Sequence, residues 1–350
     1  MLCIRRIVLA LVLHLPLVAS AQAQQVKLRI TLQQPVTTHI GVNLMRFKEE
    51  VEKSSAGEIG VEIFDNSRLY KDNQALGAVA SGAIEMASLT AQQFNAKVPA
   101  IAIFEQPFLM NFEALVRAAS APDSGMRKLL DAAIIEATGT RPLWWQSYGS
   151  SVFIAKNGRR TNLPSGITGQ KVRVFGEVMG SFVKHCGAQA HLISASQQVQ
   201  AMKDGAVDMI MSGIATVPAR ELWNVSDTIT RTEHAALEWL VIINDKFWQS
   251  LSPRHQEIIH ASGLKVEKEL RDQVVEIEKK AYDTARQKGM KVYELTPDEV
   301  AEWRACSAPL LESYMETGGE LATRLMAAYG KLRTDPCCSA APGGGVFLGR

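Results

Sequence analysis

The chain has 350 residues, of which 47% are hydrophobic and 21% charged; it is long enough for two ordinary domains and too apolar for disorder. A formal net charge of +2 excludes the broad basic surface of a nucleic-acid binder and the polybasic face drawn to an anionic membrane.

In chain order, Arg5 and Arg6 precede an apolar run over residues 7–18, followed by Ala19-Ser20-Ala21-Gln22-Ala23. Basic, apolar and small-residue segments in that order predict a secretory signal peptide over residues 1–23, with cleavage after Ala23. The run is too short to span a bilayer, and no cysteine stands at the cut to carry a lipid. Removing Arg5 and Arg6 leaves 36 bases against 36 acids, a neutral product. An exported chain with no membrane insertion is expected, periplasmic in a Gram-negative bacterium.

Residues 26–31 (Val-Lys-Leu-Arg-Ile-Thr) alternate as a first strand. A polar loop containing Gln34, Thr37 and His39 follows, then a helix with Ile40, Leu44, Phe47 and Val51 on one face. Residues 59–64 form a second strand, the β-loop-α-β opening of an α/β domain with a parallel sheet. Helices are predicted over 74–81, 111–120 and 127–138, and strands over 84–89, 143–146 and, separately, 152–155. Residues 159–169 read as a loop.

Gly169 and Gly176 then bracket a strand in which Arg173 sits between Val172 and Val174 and shares its face with Phe175. A guanidinium held on a strand presents a rigid donor fork that matches the two oxygens of a carboxylate. Helices over 179–187, 196–204 and 218–222 surround a strand at 209–211, and 237–243 is a strong strand. Ser252 and Pro253 supply the N-cap and first-turn proline of a long helix running to Gly289, with charge on its outer face. Thr296-Pro297-Asp298-Glu299 is a capping box opening one more helix. Residues 333–350, rich in Pro, Gly and Ser, read as a disordered tail.

Chemistry is notable for what is missing. Ser181-Phe182-Val183-Lys184 fits SxxK, but SDN and KTG are absent; GxSxG, the P-loop and GxGxxG do not occur. No catalytic residue, metal site or cofactor is expected. An oxidising compartment permits a Cys186–Cys306 bridge without showing that the two meet.

Several stretches together carry a resemblance. They are Val61-Glu62-Ile63-Phe64-Asp65-Asn66 with Leu69 and Asp72, Gln106-Pro107-Phe108-Leu109-Met110, Gly169-Gln170-Lys171-Val172-Arg173-Val174, Gly205-Ala206-Val207-Asp208 and Lys246-Phe247-Trp248-Gln249-Ser250-Leu251-Ser252. In that order and spacing the chain resembles the periplasmic solute-binding proteins of TRAP (tripartite ATP-independent periplasmic) transporters, the DctP type, from the first strand to about Leu332.

The resemblance implies an α/β fold of two lobes closing on a cleft like a flytrap, with hinge strands between them and the long helix spanning both. Lobe I would comprise residues 24–148 with about 239–278, and lobe II 149–238 with about 279–332. It implies a small carboxylate ligand gripped by Arg173, and membrane permease subunits as partners. Departures from the family are also visible. Gly149-Ser150-Ser151-Val152-Phe153 lacks the second arginine of many members, Ser212 falls near the usual asparagine, and Ala195 replaces a pocket phenylalanine. By position at strand ends, Gln34, Thr37, His39, Thr90, Tyr148, Ser150, Phe175 and Ser212 join Arg173 as candidate ligand contacts. Glu238, on the hinge strand, would either hold a cationic group or face solvent. The alternatives are a ligand-sensing protein for a receptor kinase or chemoreceptor, and an exported enzyme acting on an organic acid.

Overall fold

The computed structural model describes residues 26–336 and residue 338; the signal-peptide segment lies outside them. Strand β1 (Val26–Leu32) pairs in parallel with β2 (Ile59–Phe64), and helix α1 (His39–Ser54) connects them. Thr38 caps α1, its hydroxyl accepting from the Gly41 backbone N–H, which satisfies one of the free donors at the helix start. Helix α2 (Asp72–Ala80) leads to β3 (Met86–Thr90), parallel to β1, and α3 (Glu113–Ser120) and α4 (Gly125–Thr138) lead to β4 (Thr140–Ala155).

β4 decides the architecture. The sequence reads as two short strands there, whereas the structure has one strand of 16 residues. Its first part pairs with β9 (Ala236–Asn244), and residues from Ser151 onward pair with β7 (Met209–Gly213) and β8 (Thr228–Arg231). Gly149 bends the strand without ending it: its φ is +88° and it lies at a shift of register between Ser147 and Gly149, a backbone state that favours glycine. One half of the sheet runs β2-β1-β3-β9-β4. The other runs from β4 through β7 and β5 (Lys171–Val174) to β6 (Gln189–Leu192), with β8 and β10 (Lys291–Glu294) beside it. Sequence reading missed β6, β8 and β10, each of four residues.

Helices α5 (Glu177–His185), α6 (Gln198–Lys203) and α7 (Thr216–Ala219) pack in the second half, and α8 (Asp245–Ser250) follows β9. The 35-residue α9 (Pro253–Gln287) is capped by Ser252, as expected. Ile259, Val266 and Leu270 pack into the first half with Leu28 and Trp144, while Ala281, Tyr282 and Ala285 pack into the second with Ile154 and Ile210. One helix therefore backs both halves. Its charge is not confined to the outer face: Glu267, Arg271 and Glu278 are buried.

Helix α10 (Pro297–Ser307) starts with the expected capping box, and Cys306 on it bridges Cys186 with 5.4 Å between Cα atoms. The last helix, α11 (Pro309–Thr334), was not foreseen. Leu310 packs in the second half, but after a kink at Gly319 the helix lays Ala322, Leu325 and Tyr329 against the first. The helix also extends into the segment read as disordered tail, and Cys338 is buried in the same cluster; residues 337 and 339–350 lie outside those described. No helix of the described residues is long and apolar enough to cross a membrane.

Candidate functional site

A cavity of about 560 Å³ opens where the two halves of the sheet face each other, within the range of small-molecule sites. Arg173 lies in its wall. The valines beside it and Arg173 itself are all buried, because this short parallel strand is covered on both faces. The guanidinium is clamped by its own lobe: Nε donates to the Ile193 carbonyl at 2.8 Å and Nη1 to the Met211 carbonyl at 3.0 Å. Of the five N–H donors of an arginine, both on Nη2 and one on Nη1 remain, which is the terminal fork. Burial pulls its pKa down to about 10 against the favourable charge of Asp72, so it stays cationic at neutral pH. Phe175 lies 6.0 Å from the guanidinium carbon.

The rest of the wall is polar and comes from both sides. Tyr148 and Ser212 share Thr216: the Tyr148 hydroxyl and the Ser212 hydroxyl each lie 2.9 Å from Thr216 Oγ1. A Cβ at position 213 would stand 2.6 Å from the Tyr148 ring, so Gly213 gives that ring its place. Thr90, Gln34, Trp239, Gln92 and Asn95 lie on the first-half side, with Asp72 beside them in the wall. Two hydrogen bonds cross the mouth. Arg220 Nη2 donates to Gln34 Oε1 at 3.1 Å, and the Ser194 hydroxyl lies 3.2 Å from both Asp72 oxygens.

Seven of the ten residues picked from sequence line this cavity: Arg173, Phe175, Ser212, Tyr148, Thr90, Gln34 and Glu238. Three do not. Thr37 is exposed on the loop before α1. His39 lies behind Tyr148, with ring centroids 4.7 Å apart, and burial lowers its pKa to about 4. Ser150 is buried at the bend of β4, its backbone N–H donating to Glu278 Oε1 at 2.8 Å. Glu238 reaches the wall with its strand, yet its carboxylate neither faces solvent nor stands free for a cation. Arg271 on α9 holds it through both oxygens, at 3.2 and 2.6 Å, since a buried carboxylate needs a partner.

Sequence reasoning missed Asp72 and Arg220. Asp72 stood among the residues of the resemblance but no local pattern aimed it at a cleft. Arg220 follows α7, far in sequence from Arg173, yet its charge adds to the burial that lowers the pKa of Arg173, while burial lowers its own against the charges of Tyr148 and Asp72.

Residues 32–317 match the model of DctP, bacterial extracellular solute-binding protein, family 7. The chain belongs to the DctP family. Among its DctP relatives, the C4-dicarboxylate-binding periplasmic protein DctP of Rhodobacter capsulatus is 26% identical over 93% of this chain and 98% of that one. Among solved structures, DctP7 of Bordetella pertussis, an extracytoplasmic solute receptor binding pyroglutamic acid, aligns with a TM-score of 0.81 at 19% identity, over 87% of this chain and 99% of that one. A TRAP periplasmic solute-binding protein from a Polaromonas species, bound to D-erythronate, aligns with a TM-score of 0.81 at 21% identity, over 89% and 100%. The DctP fold is two-lobed, as the resemblance implied, and the shared β4 and α9 are what join the lobes here.

Proposed function

We propose that this DctP-family protein captures a small carboxylate-bearing organic solute in the periplasm and delivers it to the membrane subunits of a TRAP transporter. The observation that carries the reading is Arg173, clamped by two backbone carbonyls with its terminal fork still available in a buried cavity. An arginine fixed in this way loses little freedom on binding, and a cationic fork in a low-dielectric cleft favours a planar anion. The ligands named for the three similar proteins are all carboxylates at neutral pH, which supports the same class here.

Phe175, Tyr148, Ser212, Thr90 and Gln34 are the proposed contacts around Arg173. The lobes divide at the bend of β4: residues 24–148 with about 239–278 and most of α11 form lobe I, and 149–238 with the chain from about 279 through α10 form lobe II. Residues 1–23 are proposed as the export signal. The crossing bonds from Arg220 to Gln34 and from Ser194 to Asp72 would break on opening and re-form on capture.

Mass spectrometry of the supernatant after denaturing the purified protein tests this directly. A stoichiometric small carboxylate is the expected finding. A released solute with no acidic group would refute the reading.

A further inference from the structure

Two glycines bracket the Arg173 strand, and the backbone explains only one of them. Gly169 turns at a φ of +71°, where L side chains are strained, and a Cβ there would meet nothing within 4 Å. Gly176 is extended, with φ −167° and ψ 170°, a conformation open to any residue. It is also the N-cap of α5, where no side chain supplies a capping bond and serine would serve the helix at least as well. The reason for glycine lies across the cleft. A Cβ at position 176 would stand 3.0 Å from Gln92 Cγ, 3.3 Å from Gln92 Cβ and 3.6 Å from Glu105 Oε2. Gln92 is on the turn Ala91–Phe94 that follows β3, and Glu105 ends the turn Pro99–Glu105, both in the first half. Neither can step aside. Gln92 is 9% exposed and its Cβ is fixed to its backbone, while Glu105 is fully buried, its Oε1 accepting from Asn95 Nδ2 at 3.1 Å.

We infer that Gly176 is a positioning residue for capture: its missing side chain sets how closely the two halves can approach, and so where Arg173 stands relative to the opposite wall. This rests on the proposed closing of the lobes on a carboxylate and adds the contact that limits the closure. The bonds across the mouth, Arg220 to Gln34 and Ser194 to Asp72, join side-chain ends that can follow small displacements. The Gly176 contact cannot, because it sets main chain of the second half against the stem of a packed side chain in the first. Gly176 and Arg173 belong to one short segment, so a wedge at position 176 carries the Arg173 fork away from Thr90, Gln34 and Tyr148 in the facing wall. A solute held from both sides then loses contact with one of them. The open form, in which position 176 no longer meets Gln92, is unaffected.

The test compares the mature chain with Gly176→Ser, Gln92→Ala and the double variant, each stripped of solute by unfolding and refolding. Calorimetry uses a fixed set of small carboxylates (lactate, glycerate, succinate and glucuronate) and follows whichever binds the parent chain. Gly176→Ser is expected to bind about fivefold to a hundredfold more weakly, the scale of an overpacked contact. Its solute-free melting temperature should be no lower than the parent's, since serine caps α5. Gln92→Ala removes the nearest atom, so in that background the loss caused by the serine should shrink by at least about threefold. Binding by Gly176→Ser within about threefold of the parent overturns the inference. An equal loss with and without the Gln92 side chain also overturns it, since the serine would then act on the solute or the backbone rather than across the cleft. A solute-free melt lowered by several degrees overturns it too, by placing the need for glycine inside the second half. If no carboxylate of the set binds, solute carried through purification is counted by mass spectrometry after equal dialysis of each variant. Lower occupancy in Gly176→Ser with recovery in the double variant supports the inference, and equal occupancy overturns it. Closure is read separately on the parent chain: a scattering profile unchanged by bound solute refutes the closing reading and this inference with it. A parent that compacts beside an unweakened Gly176→Ser removes only the role of Gly176. A chain that neither binds nor carries a solute refutes the capture reading and this inference together.

Discussion

Replacing Arg173 by alanine removes three things at once, and the structure separates their sizes. The terminal fork is lost, leaving a ligand carboxylate buried without its partner; truncations of that kind cost ~2–5 kcal/mol, or roughly thirty-fold to several-thousand-fold in affinity. Arg220 stands close enough for its charge to be felt at Arg173, so part of the positive potential survives and the loss should fall in the lower half of that range. The carbonyls of Ile193 and Met211 also lose their donor. Each such orphan costs about 1–3 kcal/mol if it stays dry, an effect on folding rather than binding. Arg173→Lys keeps the charge and can serve one carbonyl, but an ammonium has no planar fork; its affinity should lie between wild type and alanine, with most of the melting temperature restored. Titration calorimetry on the solute released from the purified protein, paired with a thermal melt of each variant, reads the two effects separately. Affinity within about threefold of wild type for Arg173→Ala, with a cooperative melt, would refute the assignment.

The bend of β4 gives a pH prediction. Glu278 is buried against it and pushed up to about 8, by burial first, while the Ser150 N–H and Arg231 pull it down. A carboxyl raised above its unfolded value adds stability that is complete below about pH 4.5 and disappears as pH climbs through 8, so the melting temperature should fall across that interval. The effect is on the order of a few kcal/mol. Glu278→Gln should flatten part of the fall but not all, since Glu105, at about 8, and Glu113, at about 7, act in the same direction; an unchanged slope would count against the buried neutral carboxyl. Gly149→Ala should destabilise strongly, because its Cβ would stand 2.2 Å from Glu278 Oε1 at a positive φ; a melting curve matching wild type would show that the bend can rearrange. Breaking the Cys186–Cys306 bridge, which closes a separation of 120 residues, should cost about 2–5 kcal/mol in chemical denaturation, and no change on substituting both with serine would show that it adds nothing. Small-angle scattering should give a smaller radius of gyration with solute than without, as the crossing bonds at the mouth form; identical profiles would argue against closure.

Much of the frame could be read from residue order. Residues 59–64 alternate cleanly and form β2 as expected, and Ser252-Pro253 and Thr296-Pro297-Asp298-Glu299 start the helices they signal, because caps and alternation are local physics. Arg173 could be read for the same reason, being bracketed by glycines on a short strand. What escaped was whatever depends on distant partners. Tyr148-Gly149-Ser150-Ser151 looks like a break between strands, and only pairing with β9 on one side and β7 on the other makes it continuous. Glu267, Arg271 and Glu278 look like outward charges on a helix, yet Arg127, Glu238 and the Ser150 N–H take them inward. Thr37 and His39 were placed by loop position alone, and Asp72 meets Ser194, and Arg220 meets Gln34, only because the two halves of the sheet face each other.

The place of β9 in the sheet bears on how the molecule assembles. It is inserted between β3 and β4, so the first half cannot be zipped from its own early residues: β3 and β4 must wait for a strand that arrives about eighty residues after β4 ends. α9 and α11 then close over surfaces laid down by strands and helices made long before. A nascent chain of this kind has no complete lobe to settle into until nearly all of it exists, and neither lobe can be cut out as one continuous segment. The arrangement leaves both halves of the sheet incomplete until β9 has been made.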